Sequence, residues 1–144
     1  PRSRGLGDVY KRQTTNNNTA VGYAAMQSNT TGTENTAVGS GALDVNTTAY
    51  RNTAIGFDAL GANTTGEENT AVGRYALKSN TTAHQNTAVG RNALKDNTTG
   101  EYNVGIGSQS LNANTTGNKS LDCIRTNQLC ADVVKFSSKI NVTI

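Results

Sequence analysis

The sequence predicts an all-β protein, specifically a β-solenoid of six coils with 17 residues in each coil. A unit of the form N-T-A-V-G-x-x-A-L-x-x-N-T-T-G-x-x occurs six times from Asn18 to Lys119, without a single insertion. Hydrophobic residues make up only 34% of the chain, against about 45–50% in an ordinary globular domain. The unit is rich in Thr, Asn and Gly, which are poor helix formers. Together these observations predict a stack of small coils in place of one large core.

Each repeat unit divides into one short strand, a second short segment and two turns. Thr-Ala-Val is typical of a strand, the Gly that follows it of a turn, and Asn-Thr-Thr-Gly of a corner. A helical repeat would need about 33 residues or more to hold its two helices. Because identical positions of a solenoid stack about 4.8 Å apart, the sequence predicts a rod in which each residue type forms a column.

The sixth copy, Val104-Gly105-Ile106, predicts which strand side chains point inward. Here Val replaces the Thr of the other five copies, and Gly replaces the Ala. Because strand side chains alternate between two faces, we expect the Thr and Val columns to point inward and the small Ala column to point outward. A strictly small outward column predicts a contact with a neighbouring subunit, and the alternative is a solvated or intra-coil position.

These predictions assign residues to three sets of columns. The core columns are Val21, Val38, Ile55, Val72, Val89 and Ile106, together with Met26, Leu43, Leu60, Leu77, Leu94 and Leu111. The subunit-contact column is Ala20, Ala37, Ala54, Ala71 and Ala88, and the corner Asn ladder is Asn29, Asn46, Asn63, Asn80, Asn97 and Asn114.

Only two large apolar side chains per coil are available for burial. The free energy gained by burying them is smaller than the conformational entropy cost of ordering 17 residues. Hydrogen bonds between coils, Asn ladders and burial between chains must therefore supply the rest. We accordingly expect a homo-oligomer, most simply a homotrimer.

The net charge of +3 is confined to the start of the chain. Residues 1–13 hold four basic residues and one acidic residue, whereas residues 14–144 hold nine of each. Ser3 to Gln13 resembles the translated adapter of transposase-based sequencing libraries, so we interpret residues 1–13 as adapter-encoded; the alternative is a genuine basic arm. The charge of the remainder gives no reason to expect nucleic acid as a partner, and no apolar run is long enough to span a membrane.

The repeats resemble a known family of surface proteins. N-T-A-V-G and Asn103-Val-Gly-Ile-Gly107 are similar to the N-S-V-A-I-G coils in YadA-like heads of trimeric autotransporter adhesins. The A-L-x-x-N-T-T-G extension resembles the longer coils of bacterial and phage fibre proteins. The resemblance covers Asn18 to Lys119 and implies a left-handed parallel β-roll, trimeric, displayed on a cell surface or a virion. It departs from the family in its 17-residue unit and in the Thr that replaces the first apolar residue in five copies.

The functional expectation is a structural and adhesive extracellular fibre segment that attaches to a glycan or a host-surface receptor. The alternatives are an ice-binding solenoid, if the Thr-Thr columns face outward on one flat sheet, and a filament subunit of unknown role. We expect no enzyme, cofactor or metal site, because His84 is the only histidine and the adjacent Glu67 and Glu68 diverge. Variable positions supply the candidate contacts: the stacked pairs Arg74/Arg91 and Lys78/Lys95, and the aromatic residues Tyr23, Tyr50, Phe57, Tyr75 and Tyr102.

The composition changes after Gly117. We therefore place the solenoid domain at 14–119 and interpret 120–144 as a degenerate coil with a cap, or alternatively as a misassembled tail. Continuing the register places Leu121 and Cys123 in the two core columns. Cys123 and Cys130 could form a disulfide in an oxidising compartment, but without a nearby His they are weak candidates for a metal site.

Overall fold

In the computed structural model, which describes residues 17–123, the chain forms one parallel β-solenoid. Neighbouring strands pair in parallel with a constant offset of one repeat, as in the pairing of Thr53 with Thr70. The seven strands follow chain order: β1 (Thr19–Val21), β2 (Thr36–Val38), β3 (Thr53–Ile55), β4 (Thr70–Val72), β5 (Thr87–Val89), β6 (Val104–Ile106) and β7 (Leu121–Cys123).

The predicted fold class and the 17-residue period are thus confirmed. The interpretation of residues 1–13 as adapter-encoded and the disulfide to Cys130 lie outside the described residues, and so does the part of the 120–144 tail that follows Cys123. No helix in the described part of the chain is long and apolar enough to cross a membrane.

The core of the solenoid is a stack of Leu and Ala side chains. The second segment of each coil supplies a column of Leu, with Met26 in the first coil, and an adjacent column of Ala. The predicted Leu column is therefore correct: Leu43, Leu60, Leu77 and Leu94 are 0% exposed, and Leu111 is packed against the core at its end.

The predicted orientation of the strands was wrong. The strand Ala column points inward, with Ala37, Ala54, Ala71 and Ala88 fully buried in a single chain and Ala20 packed against the core at its end. It is therefore not a subunit-contact column. The Val/Ile column points outward and is not core: Val21, Val38, Ile55, Val72, Val89 and Ile106 are half-buried or exposed, with Val21 reaching 50%.

The narrowness of the coil explains why only a small strand residue fits inside. At Gly105, an added Cβ would lie 3.3 Å from Leu94 Cγ and 3.3 Å from the carbonyl oxygen of Ser110. The Leu column already fills the centre, so the strand can contribute only Ala or Gly. The exchange of Thr for Val104 is therefore a change on the outward face, where either β-branched side chain fits.

We expect paired Val substitutions to confirm this orientation. Ala71→Val should destabilise the fold by about 1–3 kcal/mol, because it overpacks the space beside the Leu column. Thr70→Val should change the free energy of unfolding by less than about 0.5 kcal/mol, because Thr70 faces outward. Urea denaturation at one protein concentration measures both; a larger effect for Thr70→Val would restore the opposite orientation.

The middle residue of the last strand, β7, is an acidic residue in the inward column. Asp122 pairs with Gly105 in register, and its Oδ2 accepts hydrogen bonds from the Ser110 hydroxyl at 2.9 Å and the Leu111 N–H at 3.2 Å. In the preceding coil, the N–H of Leu94 donates to the carbonyl of Ser110. The Asp122 carboxylate thus accepts the hydrogen bond of the Leu111 N–H, whose equivalent in the preceding coil donates to a backbone carbonyl of the next coil. Leu121, predicted in a core column, is instead 60% exposed.

Candidate functional site

The corner Asn ladder holds each corner together and joins it to the next coil. In the third coil, Asn63 Nδ2 donates to the Gly66 carbonyl at 2.8 Å and to Asn46 Oδ1 at 3.3 Å. Asn80 Nδ2 then donates to Asn63 Oδ1 at 2.9 Å. The predicted ladder is present along the stack, with Asn46, Asn63, Asn80 and Asn97 fully buried.

A second ladder, which the sequence reasoning missed, is formed by the Asn that begins each repeat. Asn69 shows its pattern: its N–H donates to Asn52 Oδ1 at 2.9 Å, and its Nδ2 donates to the Ala83 carbonyl at 2.8 Å. Each such Asn therefore closes its own coil and also joins two coils. The available signal was its invariance in all six repeats, whereas the adjacent Thr and Val both vary. This strand-start Asn ladder comprises Asn18, Asn35, Asn52, Asn69, Asn86 and Asn103.

The two Thr of each corner have different environments. The first Thr donates its hydroxyl proton to a carbonyl of the next coil, as Thr64 does to Thr81 at 3.1 Å. The second Thr of each pair is exposed, as at Thr65. Only one of the two Thr-Thr columns therefore presents its hydroxyls outward, which weakens the case for an ice-binding corner.

The outward side of the sheet is an uncharged surface, which we call the strand face. Its side chains are β-branched, and several of its apolar members remain substantially exposed, including Ile55 and Ile106 at 40%. Within residues 17–123, its Thr hydroxyls donate no hydrogen bond to another residue. The strand face consists of Thr19, Val21, Thr36, Val38, Thr53, Ile55, Thr70, Val72, Thr87, Val89, Val104 and Ile106.

The column that precedes the strand-start Asn carries alternating charges. Arg51 Nε lies 2.9 Å from Glu34 Oε2, and Arg51 Nη1 lies 3.5 Å from Glu68 Oε1. The hydrogen bond to Glu34 is the main cause that raises the pKa of the Arg51 guanidinium. These pairs are solvent-exposed and contribute to register more than to stability.

His84 lies in the neighbouring column and accepts a backbone hydrogen bond through its ring. Its Nδ1 accepts the N–H of Glu67 at 3.0 Å. Tyr50 stands on the other side of Glu67 in the stack, and a hydrogen bond to the Glu67 carboxylate raises the pKa of its hydroxyl. No group of three or more His, Cys, Asp or Glu residues within 17–123 is arranged to hold a metal ion.

A third surface combines aromatic and basic side chains at the position that follows the strand Gly. Phe57, Arg74 and Arg91 occupy this position in three successive coils. Tyr75 lies edge-on to Phe57 with ring centroids 5.4 Å apart, and the Lys78 ammonium lies 4.6 Å from the Tyr75 centroid. We call these five residues the basic–aromatic column. The structure thus brings together the predicted Arg pair and two of the predicted aromatic residues.

Arg74 and Arg91 differ from the nearby Lys78 and Lys95 in that only the two Lys form ion pairs. Lys78 Nζ is 2.9 Å from Asp58 Oδ2, a hydrogen bond that raises the Lys78 pKa, and Lys95 pairs with Asp96 at 3.4 Å. Among residues 17–123, neither Arg74 nor Arg91 has a carboxylate within ion-pair distance. This surface therefore carries an uncompensated positive charge beside aromatic rings.

No protein-family model, no curated protein and no solved structure gives a significant match to the chain.

Proposed function

We propose that this chain is a segment of an extracellular or virion fibre, in which the stacked coils form a stiff rod that displays variable side chains for attachment to a cell, host or surface. The observation that carries the proposal is the uninterrupted register of the seven strands. Two Asn ladders and backbone hydrogen bonds join the coils, and the variable positions lie on the outside. Such a rod supports repeated weak contacts, which gain strength from multivalency.

The strand face supports homo-oligomerisation as part of this proposal. It replaces the Ala column as the surface between subunits, because the Ala side chains are already buried within one chain. A contiguous uncharged face with exposed Val and Ile is typical of a surface that another chain covers. Because a single three-residue strand per coil offers a narrow face, we favour a homotrimer, in which three faces meet around one axis.

Sedimentation velocity of the full chain tests this assembly, since it reports mass and elongation together. We expect an elongated particle of about three times the chain mass of 15.0 kDa. The double variant Ile55→Lys/Val72→Lys should be a folded monomer, because it places charges on the strand face without entering the core. Tyr23→Lys is the control: Tyr23 is 80% exposed and lies off this face. A wild-type chain that is folded and monomeric would contradict the oligomer.

Ice binding is a second candidate, and the strand face is the observation that favours it. The Thr column of β1 to β5 is regular and outward-facing, and no charged or aromatic residue interrupts this face. Ice binding needs this face free, whereas an oligomer covers it. Thermal hysteresis that is present in the wild type and lost in Thr53→Lys would favour ice binding; no hysteresis in a folded sample would reject it.

A further inference from the structure

We propose that the basic–aromatic column binds an acidic polysaccharide, with sugar carboxylates on Arg74 and Arg91 and a sugar ring against Phe57. This inference rests on the proposed role in attachment, for which it names the class of partner.

The charge distribution favours an anionic partner. Asp58 and Asp96 are engaged by Lys78 and Lys95. The pKa of the remaining acid of this region, Asp44, is raised by desolvation on burial and then by the charge of Asp58. Arg74 and Arg91 form no ion pair with any carboxylate of residues 17–123. These two residues lie one repeat apart, which places the guanidinium groups on adjacent coils spaced by about 4.8 Å. A carboxylate at this position would relieve the repulsion between two like charges and accept bidentate hydrogen bonds.

The aromatic rings fix the orientation of one guanidinium. The Arg74 guanidinium carbon lies 4.5 Å from the Tyr75 centroid and 6.0 Å from the Phe57 centroid. Arg74 Nη2 also bonds the Tyr75 hydroxyl at 3.3 Å. Stacking on aromatic rings reduces the side-chain entropy that a guanidinium loses when it binds an anion. The site is therefore partly organised before a ligand arrives.

The exposed ring of Phe57 supplies a contact that a sugar can make and a simple anion cannot. Phe57 is 49% exposed and lies in line with Arg74 and Arg91 along the stack. The apolar face of a pyranose ring can lie on such a ring while its acidic neighbours reach the two Arg. The length of one pyranose unit is close to the spacing between adjacent coils. A polysaccharide that lies along the rod would therefore contact the Phe57 ring with one sugar and the Arg74 and Arg91 guanidinium groups with the next two.

Binding of an oligogalacturonate to the full chain tests the proposal, measured by calorimetry at low and at physiological salt. We expect binding that weakens as salt rises, and no binding of a neutral glucose oligosaccharide of equal length. Arg74→Gln/Arg91→Gln should reduce the affinity about ten-fold or more, because it removes two charge-assisted contacts. Phe57→Ala should weaken the binding by a further several-fold at either salt concentration.

The matched control is Arg51→Gln/Lys119→Gln, which removes the same charge from another column. It should change the affinity less than about two-fold, because long-range charge effects are screened by salt. Equal losses in the two double variants, or inorganic polyphosphate binding that is as tight and independent of Phe57, would show only general polyanion attraction and overturn the proposal. Absence of oligogalacturonate binding would overturn it as well.

Sedimentation of the same samples separates this inference from the proposed fibre. An assembled wild type that binds no oligogalacturonate rejects only the polysaccharide. A monomer that binds oligogalacturonate through Arg74 and Arg91 rejects only the assembly.

Discussion

Gly73→Ala is expected to disrupt the stack, with a loss of stability on the order of 3–5 kcal/mol. Gly73 has φ +135°, and an added Cβ would lie 2.5 Å from the carbonyl oxygen of Gly90 and 2.6 Å from its carbon. Both are backbone atoms of the next coil, so no side-chain rotation can relieve the clash.

The coils cannot separate to make room, because hydrogen bonds on both sides fix their spacing. The N–H of Gly73 donates to the Ile55 carbonyl, and the N–H of Gly90 donates to the Val72 carbonyl, each at 2.7 Å. A Cβ at Gly73 would therefore break the ladder at the exit of the strand. The same position is Gly in all six repeats, as this packing requires.

Gly41→Ala is the matched control for this substitution. Gly41 also has a positive φ, +70°, but the nearest atom to an added Cβ is Asp58 Oδ1 at 3.4 Å. The equivalent position of the first coil is Ala24, with φ 56°. We expect a loss of about 1–2 kcal/mol, which is the cost of the left-handed conformation for a residue with a Cβ. Thermal unfolding compares the two variants, and equal loss at both positions would mean that close coil packing does not determine the effect.

Asn69→Ala should cost roughly 3 kcal/mol, the second large effect. The substitution leaves the buried N–H of Asn86 without its acceptor, Asn69 Oδ1 at 3.0 Å. It also removes the bond from Asn69 Nδ2 to the Ala83 carbonyl, which closes the coil. No water can replace these partners easily, because Asn69 is fully buried.

The control for Asn69→Ala is Gln85→Ala, at the end of the same coil. The Gln85 side chain bonds Glu68 at 2.8 Å, but both groups are exposed. We expect a change of less than about 0.5 kcal/mol. Denaturant unfolding followed by circular dichroism measures both variants. A cost below 1 kcal/mol for Asn69→Ala would show that the strand-start Asn ladder is not a main source of stability.

The period of the sequence was sufficient to predict the fold, because one column of Leu and one of Asn recur at every seventeenth residue. The orientation of the strand was not predictable from Val104 alone. Thr and Val have similar shapes, so their exchange fits an exposed face as well as a core. The deciding fact is the space beside Leu94, which depends on the distance between two segments of the coil.

The positive φ angles of the coil were also not predictable from the sequence. Each coil places three residues besides the strand Gly at positive φ, and all of them are non-glycine except Gly41 in the second coil. One of the three is the core residue of the second segment, as at Leu77 with φ 49°. Such a conformation is unfavourable for Leu. Composition gives no hint of it, because the buried side chain and the hydrogen bonds of the coil impose it. For the basic–aromatic column, the sequence predicted only that its positions stack on adjacent coils. Whether Arg74 and Arg91 form ion pairs depends on the orientation of the nearby Asp side chains, which the sequence does not give.

Deletion of a whole coil tests the central claim most directly, namely that the chain is a stack of interchangeable 17-residue coils. A variant without residues 69–85 joins Glu68 to Asn86 and keeps the register, whereas a variant without residues 69–77 breaks it. Urea unfolding should show a cooperative transition for the first variant and none for the second. Similar unfolding of the two variants, or loss of structure in the first, would contradict the account.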